Sequence, residues 1–141
     1  MLSEIVNRDL VTVQPDTRLV EVARLMKSRN VGSVLVLNAQ GRPRGMLTDR
    51  DIVVRCVAED LDVSDTTVEN VLSETLETCF EHEGIFDCIR KMRSAGVRRI
   101  PVVDLQGRAV GILSYDDLVA LLSQELFTLT GTIKPAARRA A

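Results

Sequence analysis

Two seven-residue segments combine a hydroxyl and a carboxylate at a spacing that could bind a sugar and its phosphate. They are Gly45–Asp51 (GMLTDRD) and Gly111–Asp117 (GILSYDD). A hydroxyl at a strand-to-helix junction can hydrogen-bond a phosphate, which the start of the helix also attracts. An aspartate one helical turn later can accept hydrogen bonds from the vicinal hydroxyls of a ribose. These segments give four candidate ligand-binding residues: Thr48, Asp51, Ser114 and Asp117.

The same residues permit a purely structural interpretation. Thr48 with Asp51, and Ser114 with Asp117, also match a capping box, in which hydroxyl and carboxylate satisfy the free N–H groups of a helix start. Both interpretations stay open at this point, because each copy needs a helix cap in either case. Under the binding interpretation, the glycine that heads each segment lacks a Cβ and lets a ligand approach the backbone.

The two segments belong to a longer internal repeat. Shifted by 66 residues, residues 10–51 match residues 76–117 without a gap. A period this long indicates two copies of one supersecondary unit, whose two equivalent clefts favour binding over catalysis. We predict a first repeat at 1–60, a linker at 61–67, a second repeat at 68–127 and a C-terminal tail at 128–141 that frays.

Each repeat carries the same order of structural signals. A short apolar helical turn and an extended stretch precede an amphipathic helix, whose apolar positions run from Leu19 to Met26 at helical spacing. Residues 34–37 and 100–103 then predict strands buried on both faces. Pro101 cannot donate to a sheet, which favours an edge position or a bulge. The predicted fold is mixed α/β (α+β): two β-α-β-β-α repeats related by pseudo-two-fold symmetry.

Composition excludes several classes of function. With 45% hydrophobic and 27% charged residues, the chain is an ordinary globular protein, and its net charge of −2 offers no attraction to nucleic acid or anionic membranes. No apolar run reaches the ~20 residues of a membrane span, and the N-terminus does not resemble a signal peptide, so we expect a cytoplasmic protein. No catalytic motif is present, and one histidine limits acid–base chemistry. We predict that the protein is not an enzyme.

Three cysteines and the single histidine form a weaker candidate site. Cys56, Cys79 and Cys88 lack CxxC spacing and fit a reducing cytosol better than a disulfide scaffold. Cys88 lies on the apolar stripe of a helix and is predicted to be core, whereas Cys79 is predicted to face a cleft. With His82 they raise a metal- or redox-linked sensor as an alternative, but their spacing matches no usual zinc site, so no metal ligand is assigned.

The gapless repeat, the element order and the two glycine-headed motifs together closely resemble the CBS domain, from about Leu2 to Leu122. The segment Leu47–Val53 is also similar to small stand-alone bacterial CBS-pair proteins. The resemblance implies that the copies pack by their sheets into one Bateman module with two clefts. Such clefts often bind AMP, ADP, ATP or S-adenosylmethionine, and such modules frequently form homodimers. It also implies that the stretches around Thr12 and Thr78 line the adenine end.

The resemblance gives a further role to Arg98 and Arg99, which stand where the first repeat has Gly32 and Ser33. Arginine at this point in CBS pairs often faces ligand phosphates, and a guanidinium suits bidentate phosphate contact. We predict that both arginines serve one phosphate-bearing nucleotide, while the other cleft is weak or empty. The alternative is a pair of solvated or dimer-contact arginines.

Together these features predict a non-enzymatic sensor that requires no cofactor and binds a regulatory adenosyl ligand between its repeats. Binding would shift the packing of the repeats or of a homodimer, and an unknown client protein would respond to that shift. The alternative is a ligand-free platform for dimerisation or interaction.

Overall fold

The computed structural model describes residues 1–73 and 76–132 and follows the predicted repeat. The first half contains a 3₁₀ turn (Leu2–Glu4), β1 (Thr12–Val13), α1 (Leu19–Arg29), β2 (Ser33–Leu37), β3 (Pro43–Thr48) and α2 (Asp49–Ile52), which continues as a π-helical turn (Val53–Val57). The second contains α3 (Val68–Val71), β4 (Cys79–Phe80), α4 (Ile85–Ala95), β5 (Arg99–Val103), β6 (Ala109–Ser114) and α5 (Tyr115–Thr132). The predicted β-α-β-β-α order is confirmed.

Each repeat builds a three-stranded sheet around the first strand of its hairpin. The strand orders are β1-β2-β3 and β4-β5-β6 within the described residues. In both sheets the short first strand runs parallel to the central strand, and the last strand runs antiparallel to it. The antiparallel register shifts at the same place in both, between Val36 and Leu37 and between Val102 and Val103.

The central strands are buried on both faces, as predicted. Val34 and Val36 belong to the apolar cluster that α1 covers. Because side chains alternate across a strand, Leu35 points to the opposite face, yet it is also fully buried. Pro101, its equivalent in β5, is fully buried as well. The face of each sheet turned away from its own helices is therefore also covered.

Pro101 lies in a central strand, so the expectation of an edge position is wrong. The register shift in β5 follows it by one residue. In the first repeat, the N–H of Leu35 donates to the carbonyl of Val11 at 2.9 Å. A proline cannot make the equivalent bond. In agreement, the pairing of β1 with β2 begins at Thr12, whereas the pairing of β4 with β5 begins at Cys79, which corresponds to Val13 in the repeat alignment and is therefore one position later.

The opening turn of each repeat packs on the other repeat. Leu2 is fully buried in the core cluster of the second repeat, while Val68 and Val71 of α3 belong to that of the first. The crossing is fixed by backbone pairing, because Asn7 donates to the carbonyl of Ile112 at 3.1 Å and accepts from its N–H at 3.0 Å. Each turn therefore opens its repeat in the sequence, as predicted, but it packs on the core of the other repeat.

The two motif glycines make room for these crossing segments. A Cβ on Gly111 would overlap the side chain of Val6 and lie 2.8 Å from the carbonyl oxygen of Asn7. A Cβ on Gly45 would lie 2.7 Å from a methyl of Leu72. The prediction that these glycines admit a ligand is therefore wrong, since the space is taken by the chain itself.

The predicted linker is hydrogen-bonded to the first repeat, and part of the predicted tail is helical. The N–H groups of Leu19 and Val20 donate to the carbonyls of Thr66 and Val63, which holds the linker on the start of α1. Helix α5 continues to Thr132, so residues 128–132 are helical rather than frayed, and residues 133–141 lie outside the described residues. No helix in the described ranges combines the length and the apolar character that a membrane crossing needs.

Cys79 and Cys88 are joined by a disulfide, so the prediction of three free thiols is wrong. Their Cα atoms lie 6.0 Å apart, and both side chains are fully buried. Cys79 therefore does not face a cleft, whereas Cys88 is in the core as predicted. The equivalent first-repeat residues are Val13 and Val22, which lie in one core cluster, so the bond replaces an apolar strand–helix contact. Cys56 is buried and free.

Candidate ligand-binding cleft

A groove of about 350 Å³ lies between the repeats, beside the motif of the second repeat. One side is formed by residues 7–11, the exchanged opening segment, which crosses from the first repeat to pair with β6. The loop between α1 and β2 forms another side, and β5, β6 and α5 complete the groove. Three of the predicted residues meet here: Arg99, Ser114 and Asp117. The other lining residues are Asn7, Asp9, Val11, Asn30, Val31, Gly32, Ser33 and Ile112.

Ser114 and Asp117 form a reciprocal helix cap at the edge of this groove. The N–H of Ser114 donates to Oδ2 of Asp117 at 3.2 Å, and the Ser114 hydroxyl donates to the same oxygen. The N–H of Asp117 in turn donates to Ser114 Oγ at 3.1 Å. The capping interpretation is confirmed here. In this geometry the Ser114 hydroxyl donates to Asp117, so a contact with a phosphate would require it to rotate away from the cap.

The cap occupies only one oxygen of the Asp117 carboxylate. Oδ1 accepts no hydrogen bond from the residues that the structure describes, and the side chain is exposed. A carboxylate oxygen carries two lone pairs and can accept from the adjacent hydroxyls of a sugar. Capping and ligand binding are therefore compatible at Asp117, one on each oxygen.

The first repeat has the same cap with one difference. The N–H of Thr48 donates to Oδ2 of Asp51 at 2.9 Å, and the N–H of Asp51 donates to Thr48 Oγ1 at 3.1 Å. Across residues 1–73 and 76–132, the Thr48 hydroxyl donates to no acceptor, so its hydrogen remains available. Thr48 and Asp51 mark the equivalent position of the first repeat, which we call the second cleft; residues 74 and 75 lie outside the described residues.

Charges of both signs face the described groove. Arg99 is exposed at the start of β5, where it is the register partner of Ser114. Across the groove, Asp9 accepts an ion-paired hydrogen bond of 2.8 Å from Arg29. With Asp117, the groove thus holds two carboxylates, one of them neutralised, and one guanidinium.

Arg98 does not line this groove, so the structure does not bring the two arginines together in it as predicted. Its guanidinium carbon lies 4.9 Å from the centre of the Tyr115 ring, a cation–π contact, and it forms an ion pair of 3.5 Å with Asp116. Arg98 instead lines an apolar groove between α4 and α5. Neighbouring residues at the start of a strand point to opposite faces, which separates Arg98 from Arg99.

Thr12 and Thr78 also lie outside the groove, which corrects their predicted role in this cleft. Thr12 is exposed and lines a different depression of about 600 Å³ on the outside of the first repeat. Strand alternation places its neighbour Val11 in the groove instead. The carbonyl of Thr78 accepts from Nζ of Lys91 at 3.2 Å. Within the stretch at 11–13, it is Val11 rather than Thr12 that lines this groove.

Sequence reasoning missed four polar lining residues, Asn7, Asp9, Asn30 and Ser33. Asn7 and Asp9 enter the groove through the exchanged opening segment, which no local signal reveals. Asn30 could have been found, because it ends α1 in the left-handed conformation (φ 52°) and faces Gly96 (φ 64°) in the repeat alignment. Asparagine and glycine at equivalent helix ends indicate the same left-handed turn.

The histidine and cysteines do not assemble a metal site. His82 is exposed and stacks on Phe80, with 5.5 Å between ring centres. In the described part of the chain, no three His, Cys, Asp or Glu side chains group in a way that could hold a metal ion.

Comparison with known proteins agrees with this architecture. The CBS domain family model matches residues 2–58 and 63–124. The CBS domain-containing protein YhcV of Bacillus subtilis is 39% identical over 109 residues, which are 77% of this chain and 76% of YhcV. Hypoxic response protein 1 of Mycobacterium tuberculosis is 28% identical over 121 residues, covering 86% of this chain and 84% of that protein.

Solved structures share the fold. A crystal structure of hypoxic response protein 1 with two coordinated zinc ions has a TM-score of 0.76 at 28% identity, covering 84% of this chain and 96% of that one. The CBS domain pair of MJ0100, solved with 5′-methylthioadenosine and S-adenosyl-L-methionine, also has a TM-score of 0.76, covering 89% and 97%. At 22% identity that likeness shows the fold alone. By its family match, its duplicated sheets and its inter-repeat groove, this chain belongs to the CBS-domain family as a tandem pair.

Proposed function

We propose that this CBS pair is a non-enzymatic regulatory module that binds an adenosyl ligand in the groove at Asp117. The observation that carries the proposal is that Asp117 lines an open groove and keeps its Oδ1 unused although its helix cap is complete. The adenosyl ligands named for the MJ0100 pair support the ligand class.

The groove suits the three parts of such a ligand. The ribose hydroxyls donate to Oδ1 of Asp117, and the side chains of Val11 and Ile112 offer apolar contact to the base. Arg99 supplies the cation for an anionic tail. Because Arg99 is opposed by the carboxylates of Asp9 and Asp117, we rank ligands with one anionic group, AMP or S-adenosylmethionine, above ATP.

Binding in this groove would act on the packing of the repeats. One wall belongs to the opening segment, which is hydrogen-bonded to β6 through Asn7 and Ile112. The other walls belong to both repeats. A ligand that prefers one relative arrangement therefore shifts the population towards it, and a client protein responds to that shift.

Calorimetry with AMP, ATP, S-adenosylmethionine and 5′-methylthioadenosine tests the proposal. Asp117→Ala and Asp51→Ala form a matched pair, because each removes the same helix-capping carboxylate. We expect Asp117→Ala to weaken binding at least tenfold and Asp51→Ala to leave it unchanged. Equal losses in both variants, or no binding by any compound, would contradict the proposed site.

The two neighbouring arginines provide a second matched pair. Arg99→Ala should weaken AMP binding, whereas Arg98→Ala should not, because Arg98 contacts Tyr115 and Asp116 outside the groove. An effect of Arg98→Ala as large as that of Arg99→Ala would show that the phosphate lies elsewhere.

A dimerisation role is favoured by a separate observation on α5. Five of its six exposed large apolar side chains, all except Phe127, recur at alternating spacings of four and three residues, the pattern of a helix–helix seam. They are Tyr115, Val119, Leu122, Leu126 and Leu129, each between 41% and 61% exposed. We infer that a second copy of the chain covers this stripe.

Light scattering on size-exclusion fractions tests this inference. Leu122→Ser/Leu126→Ser should convert a dimer to a monomer. Leu105→Ser is the control, since Leu105 is 75% exposed in a turn away from the stripe. A monomeric parent protein, or a dimer unaffected by the double substitution, would contradict it.

A further inference from the structure

The disulfide distinguishes the two repeats at a point where they are otherwise equivalent. Cys79 in β4 and Cys88 in α4 are bonded, and they correspond to Val13 and Val22 under the 66-residue shift. Both valines are buried in one core cluster. The same strand–helix contact is thus held by apolar packing in one repeat and by a covalent bond in the other.

The bond lies at a short edge strand of the second repeat, where one backbone hydrogen bond of the first repeat has no equivalent. Strand β4 spans two residues at the edge of its sheet. It also lacks the N–H bond that Leu35 makes to the strand-leading segment of the first repeat, because Pro101 replaces that donor. Breaking the disulfide would remove the covalent link between β4 and α4 and leave β4 held by its two-residue parallel pairing, the bond from Glu81 N–H to the Val103 carbonyl and the bond from Lys91 to the Thr78 carbonyl.

We propose that Cys79 and Cys88 form a reversible dithiol–disulfide pair that makes the strand–helix packing of the second repeat depend on redox state. In oxidation, one thiolate attacks a small-molecule disulfide such as oxidised glutathione and releases one glutathione thiol. The second cysteine thiolate then displaces the other glutathione, so two cysteine protons are lost and two electrons reduce the glutathione disulfide to two thiols.

Access to the buried sulfurs sets the rate of this exchange. Both side chains are fully buried, so a reagent reaches them only when β4 opens from α4. Short edge strands with few hydrogen bonds are the segments that open locally without global unfolding. We therefore expect exchange to be slow compared with an exposed thiol and to be accelerated by mild denaturant.

The pair also bears on the second cleft. The residues that lead into β4, 76–78, correspond to 10–12, where Val11 lines the described groove. Reduction should loosen this lining segment and leave the groove at Asp117 intact. This last consequence rests on the proposed function, whereas the redox pair itself does not.

The valines of the first repeat supply the control variant. Cys79→Val/Cys88→Val copies a contact that already packs in this fold and cannot form the bond. Both proteins are equilibrated in buffers with defined ratios of reduced to oxidised glutathione. They are then alkylated under denaturing conditions, and the number of alkylated cysteines is measured by intact-protein mass spectrometry. The parent should pass from one to three alkylated cysteines as the buffer becomes reducing, and the variant should show one throughout.

Melting and hydrogen exchange test the structural consequence. Reduction should lower the Tm of the parent by roughly 5–10 °C, because the bond restricts the unfolded chain by closing a short loop between Cys79 and Cys88. The Tm of the variant should not change on reduction. Amide exchange should accelerate in β4 and α4 but not in β1 and α1. Three alkylated cysteines in every buffer, or only one even in strong dithiol, would overturn the proposal. So would a reversible change in thiol number without any change in Tm or exchange.

Discussion

Replacing Gly111 by alanine tests whether the N-terminal segment of the chain crosses onto the second repeat. The added Cβ would overlap the side chain of Val6 and approach the Asn7 carbonyl oxygen to 2.8 Å. Since the carbonyl belongs to a backbone bridge with Ile112, it cannot move away without breaking that pairing. If the segment did not cross, the alanine would meet open space in a β-strand and would be harmless or mildly stabilising.

The expected cost is that of overpacking a core, about 1–3 kcal/mol. For a chain of 141 residues, 1 kcal/mol corresponds to a Tm change of roughly 3 °C, so we expect a decrease of roughly 3–9 °C. Gly45→Ala should cost less, because its closest neighbour is a methyl at the flexible end of Leu72. Gly131→Ala is the control, because Gly131 lies in α5 and an added Cβ would meet no atom within 4 Å.

Thermal melting of the three glycine variants, of Val6→Ala and of Val6→Ala/Gly111→Ala completes the test. The double variant should recover part of the loss, because removing the Val6 side chain frees space for the new methyl, and the two substitutions should be non-additive by more than about 0.5 kcal/mol. Only the Asn7 carbonyl contact would then remain. A Gly111→Ala protein as stable as the parent, or strict additivity with Val6→Ala, would refute the crossing.

Three further outcomes follow from the caps, turns and strands. Thr48→Ala should lower the free energy of unfolding by about 1 kcal/mol in urea titrations, because the cap of α2 is lost; no change would mean that the cap carries no stability. The backbone N–H of Arg108 holds the pKa of Asp104 below its usual value of 3.8. That stabilisation is present above about pH 4 and is lost as pH falls through the lowered pKa, so the Tm values of the parent and Asp104→Asn should converge in acid; a constant difference would contradict this. Pro101→Leu should gain a slowly exchanging amide at position 101, as at Leu35, and rapid exchange there would argue against the missing bond.

The repeat predicted the elements well because both copies obey the same local rules. Helical spacing in α1 and the buried runs of the central strands depend only on near neighbours, and those predictions were correct. The partner of each opening turn could not be predicted in this way. Leu2 is equally apolar whether it packs on its own repeat or on the other, so periodicity does not distinguish the two arrangements. The role of Gly111 was missed for the same reason.

The site was predicted in part because the motif has two uses that do not exclude each other. Ser114 and Asp117 were named for binding, and the structure shows that they also cap α5, with one carboxylate oxygen to spare. Arg98 was misassigned because its direction depends on Tyr115, a neighbour in space that the spacing of the motif does not reveal. The disulfide was missed because Cys79 and Cys88 occupy positions that valines fill in the first repeat.

The exchange of opening turns ties the two halves together during folding. Leu2 precedes every other residue of its core cluster in the chain, yet the residues that bury it extend to Leu118. The second half therefore cannot complete its interior until the N-terminus has returned across the molecule, which is a contact of long sequence separation and slow formation. Neither half expressed alone would retain a full interior, and the intact chain should unfold in a single cooperative transition.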